Sequence, residues 1–261
     1  MEDSPFDLNP NPVSMYLTAA LKTTLHKTRY CIDKRRGLTC ILGDVGMGKS
    51  TLIRLLLSEY TAKENMVVSM IPLPDFSSDF GLVKAICQDL GIPAKVSLTK
   101  QQEALYAWLM EQHKQDRNIL VMIDESQSLT DKMIERVRQL LNLETNTTKL
   151  IQIVLAGQIS LKERLLKEKA KAIRSRIFAP SILNPLSLSE TRAMIEFRCE
   201  QREVPCPVPD LLFEQIYNIT GGIPRDTLKL CDVAYELMRL NGIKTFTPEL
   251  IDIANGEAAL S

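Results

Sequence analysis

The chain has 261 residues, an apolar share of 45%, and 32 basic against 32 acidic side chains. That length holds one large domain, or a medium and a small one, with a sizeable core. The charge balance excludes a globally basic nucleic-acid binder, so any nucleic-acid contact must come from a local patch. The six cysteines (Cys31, Cys40, Cys87, Cys199, Cys206 and Cys231) form no C-x-x-C pair. They also show no metal-type spacing with His26 or His113, and read as buried thiols of a reducing compartment. The acidic start Met1-Glu2-Asp3-Ser4-Pro5 is no signal peptide. No apolar run approaches the ~20 residues that span a bilayer. These features predict a soluble, cytoplasmic protein with no membrane partner.

Residues 4–12 carry three prolines and cannot be regular helix. Phe6 and Leu8 are the apolar side chains there with something to pack against. A helix is predicted from Val13 to Lys34, with Tyr16, Leu17, Leu21, Leu25 and Tyr30 on one face. Lys34-Arg35-Arg36 closes it, either as a solvated helix end favoured by the dipole or as a nucleic-acid contact. Leu38 to Leu42 is an apolar run with strand character. Gly43-Asp44-Val45-Gly46-Met47-Gly48-Lys49-Ser50 follows, then Thr51 to Leu57 reads as a helix. The loop fits G-x-x-x-x-G-K-[ST] in the strand–loop–helix context that this phosphate-binding motif requires. Its glycines let the backbone wrap a phosphate chain, whose charge meets the loop N–H groups and the helix N-terminus. Lys49 is expected on the β- and γ-phosphates and Ser50 on Mg²⁺, which makes ATP with Mg²⁺ the predicted ligand.

Met66 to Ile71 is a second strand candidate, ended by Pro72 and Pro74. Helices are predicted from Phe80 to Leu90, stopped by Gly91-Ile92-Pro93, and again through Gln112 with Leu105, Trp108 and Leu109 on the apolar side. Asn118 to Ile123 is a third strand, closed by Asp124 and Glu125. A carboxylate at that strand end can hold Mg²⁺, and the next can orient and polarise an attacking water. Ile151 to Gly157 is a fourth strand. Gln158 at its end is either a contact to the γ-phosphate or water, or a plain N-cap. Leu161 to Arg176 is strongly basic and leaves three readings open: a solvated face, a DNA-facing patch, or a cation reaching a neighbouring subunit's γ-phosphate. For the last, Arg176 is preferred and Arg174 is the alternative, just before a short final strand from Ile177 to Ile182. From Pro185 the chain turns helical, over about 189–203, 209–219, 224–240 and 247–255. Ser187 or Ser189 is the N-cap. Pro224 sits in a favoured first turn, and Arg225 beside it is either a γ-phosphate sensor or a surface arginine.

The strand–P-loop–helix, Asp124-Glu125, Gln158, Arg174 or Arg176, and Gly221-Gly222-Ile223-Pro224-Arg225 come in the order of the AAA+ superfamily, which the chain resembles over nearly one whole module. Within it the chain is similar to the general-secretion A-type ATPases and to the transposition regulators of the Tn7 and Mu B kind. Pro5-Phe6-x-Leu8-x-Pro10-x-Pro12 with Tyr16-Leu17, Val154-Leu155-Ala156-Gly157-Gln158 and Gly222-Ile223-Pro224-Arg225 carry that likeness. The resemblance implies an α/β, three-layer P-loop fold with about five parallel strands over residues 1–184, and an all-α lid over 185–261. It implies an adenine pocket from Phe6, Leu8 and Tyr30, and DNA contacts in the region of Lys95, Ser97, Thr99 and Lys100. The secretion-type relatives carry an anchor after the ATPase, so the chain is expected to be of the stand-alone kind. Its expected role is an ATPase that oligomerises on duplex DNA and delivers target to a transposase. The alternatives are a secretion or envelope ATPase and a helicase-loader-like switch.

Overall fold

Five short apolar runs become the strands of one parallel sheet: β1 (Leu38–Leu42), β2 (Met66–Ile71), β3 (Asn118–Ile123), β4 (Ile151–Gly157) and β5 (Ser181–Ile182). The strand order is β2-β3-β4-β1-β5, with every pairing parallel. The computed structural model describes residues 4–9 and 12–258. Pro10 of the N-terminal motif and the acidic start at 1–3 lie outside the described residues. β1, β3 and β4 are buried at every position, as a sheet covered on both faces demands. Alternation along the strands divides that burial in two. Leu38, Cys40, Ile119, Val121, Ile151, Ile153 and Leu155 share one core with Leu82, Ile86, Leu105, Val137 and Leu161. These come from helices α3 (Asp79–Asp89), α4 (Leu98–Lys114), α5 (Asp131–Leu140) and α6 (Ile159–Leu166). The alternate positions Ile41, Leu120, Met122 and Val154 are buried too. α1 (Ala19–Asp33) packs on β1 and β4, and Leu52, Ile53 and Leu56 of α2 (Lys49–Thr61) are fully buried. The three-layer, five-stranded expectation holds.

Three elements differ from the sequence reading. The first helix starts at Ala19 rather than Val13, and Pro12–Ser14 form a 3-10 turn. Tyr16 there packs its ring at a tilt against Phe197 at 5.7 Å, so tertiary packing overrides the helical spacing. β5 is two residues long, although Ile177 makes an isolated bridge to Leu38. Ala179 has a positive φ of 47°, and Pro180 lacks the N–H a ladder needs. α5 lies in a stretch for which no element was anticipated. Thr130 caps it by accepting from the Met133 N–H, and Met133, Ile134, Val137 and Leu140 are its buried side.

The chain forms two compact units. The sheet unit comprises 19–44 and 52–183, and also contains the four-residue α7 (Lys171–Arg174). The helical unit joins the residues through Thr18, the loop segment Val45–Thr51, and everything from Asn184 onward. The expected boundary kept the N-terminal segment with the α/β domain, whereas here the segment groups with the helices. The physical reason is Phe6, which has no exposed surface. Its ring meets Tyr235 edge-on at 6.0 Å and Phe246 at 6.5 Å. Around it close α8 (Leu188–Gln201), α9 (Leu212–Thr220), α10 (Pro224–Leu240) and α11 (Pro248–Ala258), through Ile195, Ile216, Cys231, Ala234 and Ile251. Arg198 of α8 reaches back across 191 positions to donate to the Asp7 carbonyl at 2.6 Å. α8 opens on a full capping box, Ser187 with Glu190. Among the described residues no helix is long and apolar enough to cross a membrane.

Candidate functional site

The phosphate loop takes the backbone shape its glycines permit. Gly46 and Gly48 have φ of +82° and +83°, where a side chain is strained. Space is short as well. A Cβ on Gly46 would lie 2.8 Å from Ile223 Cγ2 and 3.0 Å from Arg225 Cβ, and one on Gly48 would lie 3.3 Å from Met15 Cε. Met47 and Lys49 are buried, Gly43 is buried, and Asp44 and Val45 are exposed. Gly43 extends the β1–β4 ladder by donating to the Gly157 carbonyl at 3.2 Å. Ser50 and Thr51 are half-buried in the first turn of α2.

The Gly-Gly-Ile-Pro-Arg segment lies against this loop. Gly221 ends α9 in a left-handed cap. Gly222 follows at φ +72°, and a Cβ there would fall 2.1 Å from the Leu186 carbonyl oxygen. Only glycine fits, and the Gly222 carbonyl in turn accepts from the Leu186 N–H at 2.9 Å. Pro224 then starts α10. The next N–H, on Arg225, is one of the amides a helix start leaves without an internal partner. It donates to the Gly46 carbonyl at 3.2 Å. Arg225 is therefore tied to the phosphate loop by its backbone as well as by its position.

In the sheet unit, β3 delivers Asp124 and Glu125. Asp124 is buried, donates its N–H to the Ile71 carbonyl at 2.9 Å, and accepts the Glu125 N–H on Oδ1 at 2.9 Å. Glu125 is half-buried in a left-handed conformation, φ 46° and ψ 36°. A non-glycine residue there costs on the order of 1–3 kcal/mol, and such strain clusters at functional sites. Gln127 donates from Nε2 to Glu125 Oε2 and accepts the Gln158 N–H on Oε1 at 3.0 Å. Gln158 occupies the N-cap of α6, yet its side chain makes no cap bond. Glu125, Gln127 and Gln158 thus form one linked set. Gln127 was invisible to sequence reasoning, since a lone amide in a polar turn carries no signal.

The other anticipated residues have definite places. Arg174 donates from Nη1 to the carbonyls of Leu165 and Leu166 at 3.0 and 2.7 Å, closing the C-terminal end of α6. Arg176 donates to the Ala172 carbonyl at 2.8 Å and to Asn142 Oδ1 at 3.0 Å. Tyr30 stacks on Phe178 at 5.8 Å with Arg36 over both rings. Phe6 is core of the helical unit and Leu8 is 44% exposed. Ser97 caps α4 by accepting from the Lys100 N–H at 3.3 Å, and Lys95, Thr99 and Lys100 are exposed around it. Five cysteines are buried and Cys206 half-buried, all six as free thiols. Burial pushes the Cys40 thiol up to about 12.

Ser50 and Asp124 offer a hydroxyl and a carboxylate, hard oxygen donors of the kind Mg²⁺ prefers. The glycine loop and buried Lys49 form a cradle suited to phosphate. Among the described residues, no cluster of three or more His, Cys, Asp or Glu could hold a metal by protein ligands alone.

A parallel sheet of this order, with a glycine loop leading from β1 into α2 and an acidic pair ending β3, defines a P-loop nucleotide-binding protein. A family profile described as AAA domain matches residues 32–165. The chain belongs to that family and is an AAA+ P-loop protein. It is 29% identical over 238 residues to general secretion pathway protein A of Aeromonas hydrophila, covering 90% of this chain and 43% of the relative. The chain therefore spans about two fifths of that relative's length. The Aeropyrum pernix ORC2 protein superposes with a TM-score of 0.72 at 19% identity, over 97% of this chain and 72% of that one. The Pyrobaculum aerophilum Cdc6p gives 0.72 at 17%, over 99% and 71%. The Thermotoga maritima RuvB branch migration motor gives 0.58 at 17%, over 89% and 66%. These three likenesses carry the fold.

Proposed function

We infer that the chain is a Mg²⁺-dependent ATPase that works as a nucleotide switch. The observation that carries this reading is the bond from the Arg225 N–H to Gly46, with Gly46 crowded by Ile223 and Arg225. A loop that rearranges around phosphates must move the start of α10. The helical part from residue 185 is thus a lid that reads the loop. Lys49 neutralises phosphate charge, and the Arg225 guanidinium senses the γ-phosphate. Ser50 and Asp124 hold Mg²⁺, which supplies charge neutralisation on the phosphates. Glu125 orients and deprotonates the attacking water, and Gln158 marks the γ-phosphate end of β4. Exposed Leu8 and Tyr30 are left to serve the base, since Phe6 has no surface to offer it. In the test, Arg225→Ala retains ATP binding within a few-fold but loses the mobility change of residues 185–258 that ATP induces in hydrogen exchange. A lid response to ATP unchanged in that variant would remove the guanidinium as the sensor, and a wild-type protein with no lid response to ATP would overturn the reading.

The finer role we assign is ATP-dependent self-assembly on duplex DNA in the cytoplasm, with delivery of target DNA to a transposase. Exposed Lys95, Thr99 and Lys100, beside the Ser97 cap, support a backbone contact. A solved relative in fold is the Aeropyrum pernix ORC1 protein in complex with DNA. Arg176, with Arg174 as the alternative, acts in trans. An arginine finger is worth roughly 10³–10⁵ in rate, so hydrolysis per chain should rise steeply with protein concentration and Arg176→Ala should flatten that rise. The likeness to general secretion pathway protein A favours a second reading, a secretion-associated ATPase with a membrane partner. Electron microscopy with an ATP analogue and duplex DNA separates the two. ATP-dependent, salt-sensitive filaments or rings on duplex support the first. Assembly that ignores DNA supports the second.

A further inference from the structure

Gln127 sits in the 3-10 turn Ser126–Ser128 that follows Glu125, and both ends of its amide are used. Oε1 accepts from the Gln158 N–H at 3.0 Å, and Nε2 donates to Glu125 Oε2. An amide can be turned over by 180°, but here the partners decide. The Gln158 N–H is only a donor and an ionised carboxylate only an acceptor. The reversed amide would set N–H against N–H and oxygen against oxygen.

The turn carrying Gln127 is itself fixed. Arg164 donates from Nη1 to the Gln127 carbonyl at 2.9 Å, and from Nη2 to the Leu129 carbonyl at 2.6 Å and Asp131 Oδ1 at 3.0 Å. The Ser126 hydroxyl donates to the Ile123 carbonyl at 2.7 Å. Gly157, at the end of β4, makes the room: a Cβ there would lie 3.2 Å from Gln127 Oε1 and 3.3 Å from its N. Side chain and backbone of Gln127 are thus held by β3, β4 and α6 together. The group so fixed is a carboxylate on a strained backbone, which has no other hydrogen bond from a side chain in the described structure.

We propose that Gln127 is a positioning residue for Glu125, holding Oε2 so that Oε1 faces the water and tying the carboxylate to the Gln158 backbone. The proposal rests on the reading of Glu125 as the water-activating group. A carboxylate rotates about its last bond with little resistance, and one fixed oxygen removes that freedom. Because the Gln127 amide hangs from Gln158, a shift of the β4 end on phosphate binding is passed to Glu125 through two hydrogen bonds.

The test compares Gln127→Leu, Gln127→Glu, Glu125→Gln and the double variant Glu125→Gln/Gln127→Leu. The readouts are affinity for a fluorescent ATP analogue and single-turnover phosphate release. Gln127→Leu removes both hydrogen bonds. Gln127→Glu keeps the acceptor for the Gln158 N–H and sets a like charge against Glu125, so it carries the test if the leucine variant does not fold. A general base contributes about 10²–10⁴ in rate. Loss of its orientation should cost about tenfold or more in kcat, with affinity within about twofold. Gln127→Glu should be the slower of the two, and Gln127→Leu should add nothing in the Glu125→Gln background. Wild-type kcat in both Gln127 variants would overturn the proposal, as would a further tenfold loss in the double variant. Unchanged hydrolysis in Glu125→Gln would instead remove the reading of Glu125, and Gln127's role with it.

Discussion

The sheet unit and the helical unit reach a filled core by opposite routes. In the sheet unit the strands β1, β3 and β4 are short runs buried at every position. In the helical unit the core between α8 and α11 is completed by Phe6, and Arg198 is bonded to a residue 191 positions away. The first kind of core is written locally and the second only through contacts distant in sequence. The loop Val45–Thr51 belongs to the second unit although its strand belongs to the first. The packing partners of its Gly46 and Gly48 are Met15, Ile223 and Arg225.

The comparison can be broken at three places. Phe6→Ala should cost the most, about 3–5 kcal/mol, since the ring has no exposed surface and two aromatic partners. Hydrogen exchange should show protection lost in α8–α11 and kept in β1, β3 and β4. Equal loss in both would mean that the N-terminal segment is no special part of the helical core. Gly222→Ala comes next, at about 2–3 kcal/mol. Its Cβ would strike backbone at 2.1 Å on a positive-φ residue. A thermal melt within a degree of wild type would contradict the described turn.

The smallest effect concerns the sheet unit and acid. Arg136 of α5 donates to Asp79 at the start of α3 from Nε at 3.0 Å. Hydrogen bonds from Arg136 hold the Asp79 carboxyl below its usual 3.8, against burial that raises it. A carboxyl lowered by folding adds stability that is present above its unfolded value and lost as pH falls through the folded one. This pair should therefore add about 1 kcal/mol at neutral pH, lost only below about pH 4. Asp79→Asn should remove that contribution at pH 7 and flatten the stability profile below pH 4. An unchanged profile would show that the pair adds nothing.

What could be read from the chain follows the same division. Gly43 to Ser50, the apolar runs ending at Asp124 and Gly157, and the Gly221-Gly222-Ile223-Pro224 turn are dictated by local backbone needs, and the structure has them where the spacing placed them. The fate of Phe6 was not legible, because an aromatic among prolines says that it packs without saying on what. Residues 13–18 have helical spacing, yet Tyr16 and Met15 are used by α8 and the glycine loop. α5 did carry a readable signal: a threonine cap and an apolar face at helical spacing. Gln127 carried none, because its role depends on Gln158 reaching it from the next strand.

The most direct test of the account is phosphate release from MgATP by wild type and Glu125→Gln, measured side by side with ATP-analogue affinity. The account predicts comparable affinity, Mg²⁺-dependent release by wild type, and release lower by about 10²–10⁴ in the variant. Equal release by the two proteins, or binding of ATP by neither, would contradict it.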